Sequence, residues 1–191
     1  SYDTAYRKHA FTTAEGKDIT IDSGFYGWRM NRSEETEELI NLIKQGAVVE
    51  REPVYIQAAA SHGERDYGDT YVEINLSKQH LYFWEKGNII IESDFVSGNM
   101  VKGMATPGGI FPITYKERNA VLKGTNYRTP VSYWMPFNGG IGMHDAPWRK
   151  QFGGTIYETN GSHGCINLPV DVAREIYEHV EAGMPVICYY E

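Results

Sequence analysis

The chain has 191 residues, of which 41% are apolar and 13% aromatic, so it can bury a sizeable core in one large domain or in one domain with a small second one. Its formal net charge of −7 argues against nucleic acid or an anionic membrane surface as the main partner. Two cysteines do not make a disulfide framework, and no apolar run has the length of a membrane span. Because the chain starts at Ser1 in mid-pattern, we expect a fragment of a longer protein, with any membrane anchor in the preceding part.

Residues 1–69 differ in pattern from the rest of the chain and predict a small α+β part. Asp18 to Asp22 alternates polar and apolar residues, which is typical of a short strand. Residues 58–69 are small and polar and show no periodicity, so we expect a linker there. The sequence therefore predicts two parts, residues 1–69 and residues 70–191.

One helix is predicted within the N-terminal part. Asn31 or Ser33 is placed to cap its first turn, and Gly46 is placed to end it. Helical spacing also predicts one apolar stripe, made of Thr36, Leu39, Ile40 and Ile43. The acidic residues of the first turn complement the positive end of the helix dipole, which explains them without a binding function.

From Thr70 onward the pattern becomes β. Three short runs separated by turn residues fill residues 71–96 and predict an antiparallel meander. A lone helix is indicated near the C-terminus, with Pro169 at its start, Asp171 in its first turn and Gly183 at its end. Few helices and many short strands predict a mainly β fold, with a sandwich or barrel-like core and a few peripheral helices.

The sequence around Cys165 is the strongest candidate for a catalytic site. In the block Ser162–Asn167 the thiol follows Gly164, whose flexible backbone would bring N–H groups close to a ligand as an oxyanion hole. The predicted helix begins four residues later, at Pro169, and its positive end would favour the nucleophilic thiolate. The alternatives are an inert buried cysteine and a disulfide with Cys188, which lies in an apolar run typical of a core thiol.

Two histidines are candidates for the base that would activate Cys165. His144 lies 21 residues upstream, behind a glycine-rich run, and His163 lies two residues upstream. A cysteine with a distant histidine is the pattern of an acyl-transferring cysteine enzyme. A zinc site built from His144, His163, Cys165 and Asp145 is a further alternative, although no second Cys-x-x-Cys or His-x-x-x-His pair supports it.

These motifs resemble those of the L,D-transpeptidase (YkuD-type) catalytic domain over roughly residues 70–191. The segments that carry the resemblance are His144-Asp145, Ser162–Asn167, Thr106–Ile113 and Trp148, four residues after His144. In addition, Tyr26–Trp28 and the helix that follows resemble the tail of the wall-associated domain that precedes the catalytic domain in some Gram-positive members. The resemblance implies a β-sandwich of mixed sheets.

The resemblance also implies roles for the candidate residues. Cys165 would be the nucleophile and His144 its general base, oriented by the backbone carbonyl of Asp145. From the residues alone, the Asp145 carboxylate is an equal candidate for orienting the ring. His163 would then shape the pocket or donate to the substrate. A substrate groove is predicted beside these residues, and its candidate lining is Tyr133, Trp134, Trp148, Ser162, Gly164 and Asn167.

The activity implied by the resemblance is peptidoglycan cross-linking outside the cytoplasm of a bacterium, in support of cell-wall organisation and cell shape. Cys165 would form a thioester with a tetrapeptide stem, and the amine of a second stem would resolve it to a 3→3 cross-link, without a cofactor. Carbapenem-type β-lactams would be inhibitors. The alternatives are an L,D-carboxypeptidase with the same site, a wall-binding module with vestigial catalysis, and a cysteine peptidase of unrelated fold.

Overall fold

The computed structural model describes residues 3–124 and 127–191, which form thirteen strands and three helices. The strands are β1 (His9–Thr12), β2 (Asp18–Ile21), β3 (Arg29–Met30), β4 (Tyr55–Gln57), β5 (Tyr71–Asn75), β6 (His80–Glu85), β7 (Asn88–Asp94), β8 (Gly109–Pro112), β9 (Glu117–Gly124), β10 (Tyr127–Asn138), β11 (Ile141–Asp145), β12 (Ile166–Leu168) and β13 (Pro185–Tyr189). The helices are α1 (Arg32–Gln45), α2 (Ile156–Asn160) and α3 (Val170–His179). None of the helices in the described ranges is both long and apolar enough to span a bilayer.

Two mixed sheets form the framework. One has the strand order β7-β6-β5-β13-β8, with β5 and β13 parallel, and the other has the order β12-β11-β10-β9, with β11 and β12 parallel. Strands β5, β6 and β7 pair antiparallel in succession, so the predicted meander is confirmed. The predicted mainly β fold with mixed sheets and a few helices is confirmed as well.

A single large cluster of buried side chains joins the two sheets. It contains Val72 and Phe83 from the five-stranded sheet and Met135 and Met143 from the four-stranded sheet, all fully or almost fully buried. Helix α3 adds its buried residues Ala173 and Ile176 to the same cluster. Because burial of apolar surface stabilises the sandwich, this core fixes the positions of β11 and β12, from which the site is built.

Helix α1 begins and ends as predicted, but its apolar stripe is not buried. The Oδ1 atom of Asn31 accepts from the backbone N–H of Glu34, and Gly46 ends the helix in the left-handed conformation. Ile43, the last residue of the stripe, is 76% exposed. The buried residue is instead Glu35, because the loop that follows the helix covers this face and supplies the guanidinium of Arg51 as its partner.

The N-terminal part shares buried contacts with the larger part. Phe11 and Tyr67 belong to one cluster with Tyr189 of the five-stranded sheet. In the predicted linker, residues 58–69, the carboxylate of Asp66 is buried and accepts from Thr4 Oγ1 at 2.6 Å. This segment therefore packs on both parts as well as connecting them. The division between residues 69 and 70 into two domains stays a prediction.

Candidate active site

The pairing of β11 with β12 brings the two sequence motifs together. The strands are parallel neighbours in which His144 lies opposite Asn167, and Cys165 immediately precedes β12. The Nε2 atom of His144 is 3.1 Å from Nδ2 of Asn167. Residues that are far apart in the chain therefore form one site because the four-stranded sheet places them on adjacent strands.

The imidazole of His144 is held in one neutral form. Its Nδ1 atom is 2.8 Å from the backbone carbonyl oxygen of Asp145, and a carbonyl oxygen can only accept, so Nδ1 carries the proton. The Nε2 atom is then unprotonated, and its lone pair accepts a hydrogen bond from the amide group of Asn167. Burial lowers the pKa of His144, and the bond to Asp145 opposes this effect. His144 is therefore neutral at pH 7, with Nε2 unprotonated.

The two candidate ways of orienting His144 are resolved by the position of the Asp145 carboxylate. Its Oδ1 atom accepts from the backbone N–H groups of Ser132 and Tyr133, at 2.7 and 2.9 Å. The carboxylate thus fixes strand β10, while the backbone carbonyl of the same residue holds the imidazole. A backbone carbonyl does this work without adding a full negative charge beside the ring.

The geometry predicts that Asp145→Asn retains most activity. An asparagine oxygen can accept from the same two N–H groups, and the carbonyl that holds His144 is unchanged. We expect a loss of less than about 10-fold in kcat/KM, whereas proteases whose histidine is oriented by an aspartate side chain lose about 10⁴-fold on the same change. Steady-state kinetics of Asp145→Asn and Asp145→Ala will measure this, with Asp145→Ala losing stability because two buried donors lose their acceptor. A 10³-fold loss in Asp145→Asn at unchanged thermal stability would contradict the prediction.

Cys165 is buried and protonated at rest. Its Sγ atom lies 3.6 Å from the backbone carbonyl oxygen of Gly140, the geometry of a thiol donating a weak hydrogen bond. Burial raises the pKa of Cys165 to about 11, and a backbone hydrogen bond from Gly142 opposes this. Both Cys165 and Cys188 are free thiols, which excludes the disulfide alternative.

The prediction that a helix dipole favours the Cys165 thiolate is wrong. Strand β12 separates Cys165 from α3, and three extended residues span about 10 Å, beyond the range of a helix terminus. The positive end of the α3 dipole therefore does not stabilise the thiolate of Cys165. Its ionisation must depend on a nearby base.

Hydrogen bonds from two hydroxyl side chains, Ser162 and Thr106, hold the loop before Cys165 in place. Gly164 has φ +122°, a conformation that other residues rarely adopt. The Ser162 hydroxyl donates to the carbonyl of Cys165 at 2.6 Å and accepts from the N–H of Gly164 at 3.0 Å. The buried Thr106 hydroxyl donates to the carbonyl of Gly164 at 2.6 Å. The Thr-Pro-Gly-Gly segment therefore positions the cysteine loop from behind.

Cys165 and His144 line one open cavity of about 230 Å³. Its wall also includes Ser162, His163, Asn167, Trp148, Arg149 and, from the β9–β10 hairpin, Leu122, Tyr127 and Thr129. His163 is exposed at the rim, with its ring 4.7 Å from the ring of Tyr127. Trp148 is half exposed, with its ring 6.0 Å from that of His144. These positions suit Trp148 and His163 to substrate contact.

Three predicted lining residues, Tyr133, Trp134 and Gly164, are not part of the cavity wall. Tyr133 faces the opposite side of β10, where it packs on Tyr177 of α3 at 5.5 Å between ring centroids. Its neighbour Trp134 points to the site side because side chains alternate along a strand. Trp134 is buried against Cys165 and lies 5.9 Å from His144, so it supports the site from below the cavity. The prediction that Tyr133 lines the groove is wrong for this geometric reason.

The sequence motifs do not predict Arg149, which connects several parts of the site. Its Nε atom donates to Oδ1 of Asn167 at 2.7 Å, and Nη1 donates to the carbonyl of Asn160 at 2.9 Å. The only signal is its place directly after Trp148.

In residues 3–124 and 127–191, no three His, Cys, Asp or Glu side chains converge as metal ligands would.

With this geometry established, comparison with known proteins identifies the family. The sequence model of the YkuD family, described as an L,D-transpeptidase catalytic domain, matches residues 69–188. The chain belongs to the L,D-transpeptidase family. The predicted resemblance is thereby confirmed.

Solved structures agree with the L,D-transpeptidase assignment. The crystal structure of a cysteine-to-serine mutant of the Enterococcus faecium L,D-transpeptidase superposes with a TM-score of 0.83, at 36% identity over 98% of this chain and 76% of that chain. The NMR structure of the catalytic domain of an E. faecium L,D-transpeptidase acylated by ertapenem matches with a TM-score of 0.58, at 43% identity over 64% of this chain and 98% of that domain. The first of these extends across the N-terminal part as well.

A curated relative gives a more partial match. YciB of Bacillus subtilis strain 168, named as an L,D-transpeptidase, is 28% identical over 125 residues. These residues are 61% of this chain and 64% of YciB, so the match spans less than two thirds of that relative.

Proposed function

We propose that this L,D-transpeptidase cross-links peptidoglycan through a thioester on Cys165. The observation that carries the proposal is the meeting of Cys165 with a neutral, backbone-oriented His144 in one open cavity. Support also comes from the relatives, one of which was solved as a cysteine-to-serine mutant and another as an enzyme acylated by ertapenem.

The first half-reaction moves one proton and one acyl group. The thiol hydrogen turns from the carbonyl of Gly140 towards Nε2 of His144. The hydrogen bond from Asn167 to Nε2 breaks, and Nε2 takes the thiol proton. The sulfur attacks the carbonyl carbon of the third residue of a tetrapeptide stem. The oxyanion is stabilised by the N–H of Cys165, since that of Gly164 already donates to Ser162. His144 returns the proton to the departing D-Ala amine, leaving a thioester.

In the second half-reaction the side-chain amine of a second stem attacks the thioester. His144 accepts a proton from that amine, and the thiol of Cys165 is regenerated as a 3→3 cross-link forms. A neighbouring open cavity, lined by Trp148 and Arg149, is the proposed place for the second stem. If water attacks instead, the product is a tripeptide stem and the enzyme is an L,D-carboxypeptidase.

The proposed mechanism sets a specific pH dependence for acylation. Because the pKa of His144 is lowered, the base is neutral above that value, and the rate is lost only as pH falls through a midpoint below the ordinary 6.5. Because burial raises the pKa of Cys165 to about 11, the thiol stays protonated through neutral pH. We expect a flat profile between about pH 7 and pH 9, measured by stopped-flow acylation with a carbapenem. A preformed thiolate–imidazolium pair would instead make the rate fall within that interval.

The function is tested by incubating the chain with disaccharide-tetrapeptide muropeptides and identifying the products by mass spectrometry. Cross-linked dimers with release of D-Ala are expected. Tripeptide products alone would favour the L,D-carboxypeptidase. The absence of any product, with the muropeptide still bound, would indicate a wall-binding module and overturn the proposal.

The same proposal places the protein at the cell wall. Its partners are then donor and acceptor stem peptides, and its inhibitors are carbapenem-type β-lactams. The net charge of −7 and the acyl-transfer site both fit a small-molecule or peptide substrate better than nucleic acid. We propose an extracytoplasmic location because the polymer that carries such stems lies outside the membrane.

A further inference from the structure

Three side chains form a hydrogen-bonded chain that ends on the lone pair of the base. Arg149 donates from Nε to Oδ1 of Asn167 at 2.7 Å, and Nδ2 of Asn167 lies 3.1 Å from Nε2 of His144. Asn167 is 2% exposed, so water cannot replace either partner without rearrangement.

The chemistry of the arginine fixes the direction of every donor in this chain. A guanidinium N–H can only donate, so the atom of Asn167 that faces Arg149 must be the oxygen. The amide nitrogen therefore faces His144, and because it can only donate, Nε2 must be an unprotonated acceptor. The carbonyl of Asp145 fixes a proton on Nδ1, so the neutral ring has its lone pair at Nε2.

We infer that Arg149 is a positioning residue that acts through Asn167, setting the orientation of its amide and thereby holding His144 in the neutral form that accepts the thiol proton. The inference rests on the proposed role of His144 as the base. Without Arg149 the amide of Asn167 could turn over and present its oxygen to a protonated Nε2, which would stabilise the imidazolium and remove the base.

The other groups around His144 do not impose this choice. Asp145 lies on the same strand and its charge favours the imidazolium, while the charge of Arg149 opposes it. The thiol of Cys165 is neutral at pH 7, and His163 lies at the rim of the same cavity. Arg149 is anchored independently of the substrate, because its Nη1 atom is bound to the carbonyl of Asn160 at the end of α2.

The test is an NMR pH titration of the histidine rings in the full chain without substrate. The His144 signal is assigned from its absence in His144→Ala. We expect the midpoint of His144 to rise by about one pH unit in Arg149→Met, since a hydrogen bond that favours the neutral ring is lost. The acid limb of carbapenem acylation should move to higher pH by the same amount. His62, which stacks on Trp28 in the N-terminal part and is not part of the cavity wall, is the internal reference.

A double-mutant cycle distinguishes action through Asn167 from plain charge. In Asn167→Leu, which keeps the side-chain shape without donor or acceptor, adding Arg149→Met should cause a clearly smaller shift, because only the direct effect of the arginine charge remains. The matched control is Arg174→Met on the exposed face of α3, which should leave the midpoint unchanged. An unchanged midpoint in Arg149→Met, or an equal shift in the Asn167→Leu background, would overturn the inference.

A second variant keeps the test decisive if Arg149→Met does not fold. Asn167→Asp leaves Arg149 in place but presents an acceptor to Nε2, so the midpoint should rise by more than one pH unit. No rise would show that Asn167 does not set the state of His144. Because these titrations need no turnover, they stand or fall separately from the muropeptide experiment that tests the proposed function.

Discussion

Cys165→Ala is expected to abolish turnover of tetrapeptide muropeptides while leaving the fold intact. Removal of a catalytic nucleophile lowers kcat by about 10⁶-fold, and no second thiol can substitute, because Cys188 is fully buried in β13. The side chain of Cys165 is small, and its backbone is held by Ser162 and Thr106 contacts within its loop. The thermal unfolding midpoint should therefore stay close to that of the wild type. Product formation is measured by liquid chromatography with mass spectrometry.

The control for this prediction is Cys188→Ala. This change removes a buried sulfur and costs about 1 kcal/mol of stability, but it should leave turnover within about twofold of the wild type at 25 °C. Full activity in Cys165→Ala would show that the thioester mechanism is wrong. Loss of activity in Cys188→Ala with an intact fold would show that the nucleophile has been assigned to the wrong cysteine.

His144→Ala is expected to slow acylation of Cys165 by a carbapenem by about 10²- to 10⁴-fold. A strained β-lactam carbonyl is a good acyl donor, but the thiol must lose its proton first, and burial raises its pKa to about 11. Without His144 the buried thiol would have to ionise unaided, and general base catalysis of this kind contributes about that factor. The structure adds a reason for a large effect. Strand β12 separates Cys165 from the start of α3, so the helix terminus does not favour the thiolate.

Intact-protein mass spectrometry over time gives the acylation rates. The matched control is His163→Ala: His163 lies exposed at the rim, so its loss should slow the reaction by less than about tenfold. One adduct on Cys165 is expected in both variants, and none in Cys165→Ala. Faster acylation in His144→Ala than in His163→Ala would mean that the rim histidine is the base.

Local sequence determined several elements of this protein because their signals are short-range, although it predicted neither α2 nor the end of α3 at His179. The meander of β5, β6 and β7 follows from alternating residues and turn residues, and the bounds of α1 follow from Asn31 and Gly46. The mainly β fold and the family were also predicted from the sequence and are confirmed. Cys165 and His144 were singled out for the same reason, since small residues around a thiol are visible in a six-residue block.

Only the tertiary structure decided what each residue faces. Pairing of β11 with β12 placed Asn167 against His144. The backbone carbonyl of Asp145, not its carboxylate, orients the ring. The apolar stripe of α1 is exposed because the loop behind the helix covers the face of Glu35 instead.

The position of Tyr133 and the link from Arg149 to the base have the same cause. Tyr133 points away from the cavity because neighbouring residues of β10 face opposite sides of the sheet, and a groove prediction from sequence counts both. Arg149 contacts Asn167 across 18 positions of the chain. A hydrogen bond of that kind depends on where two strands and a loop come to lie in space, which no local pattern of residues encodes.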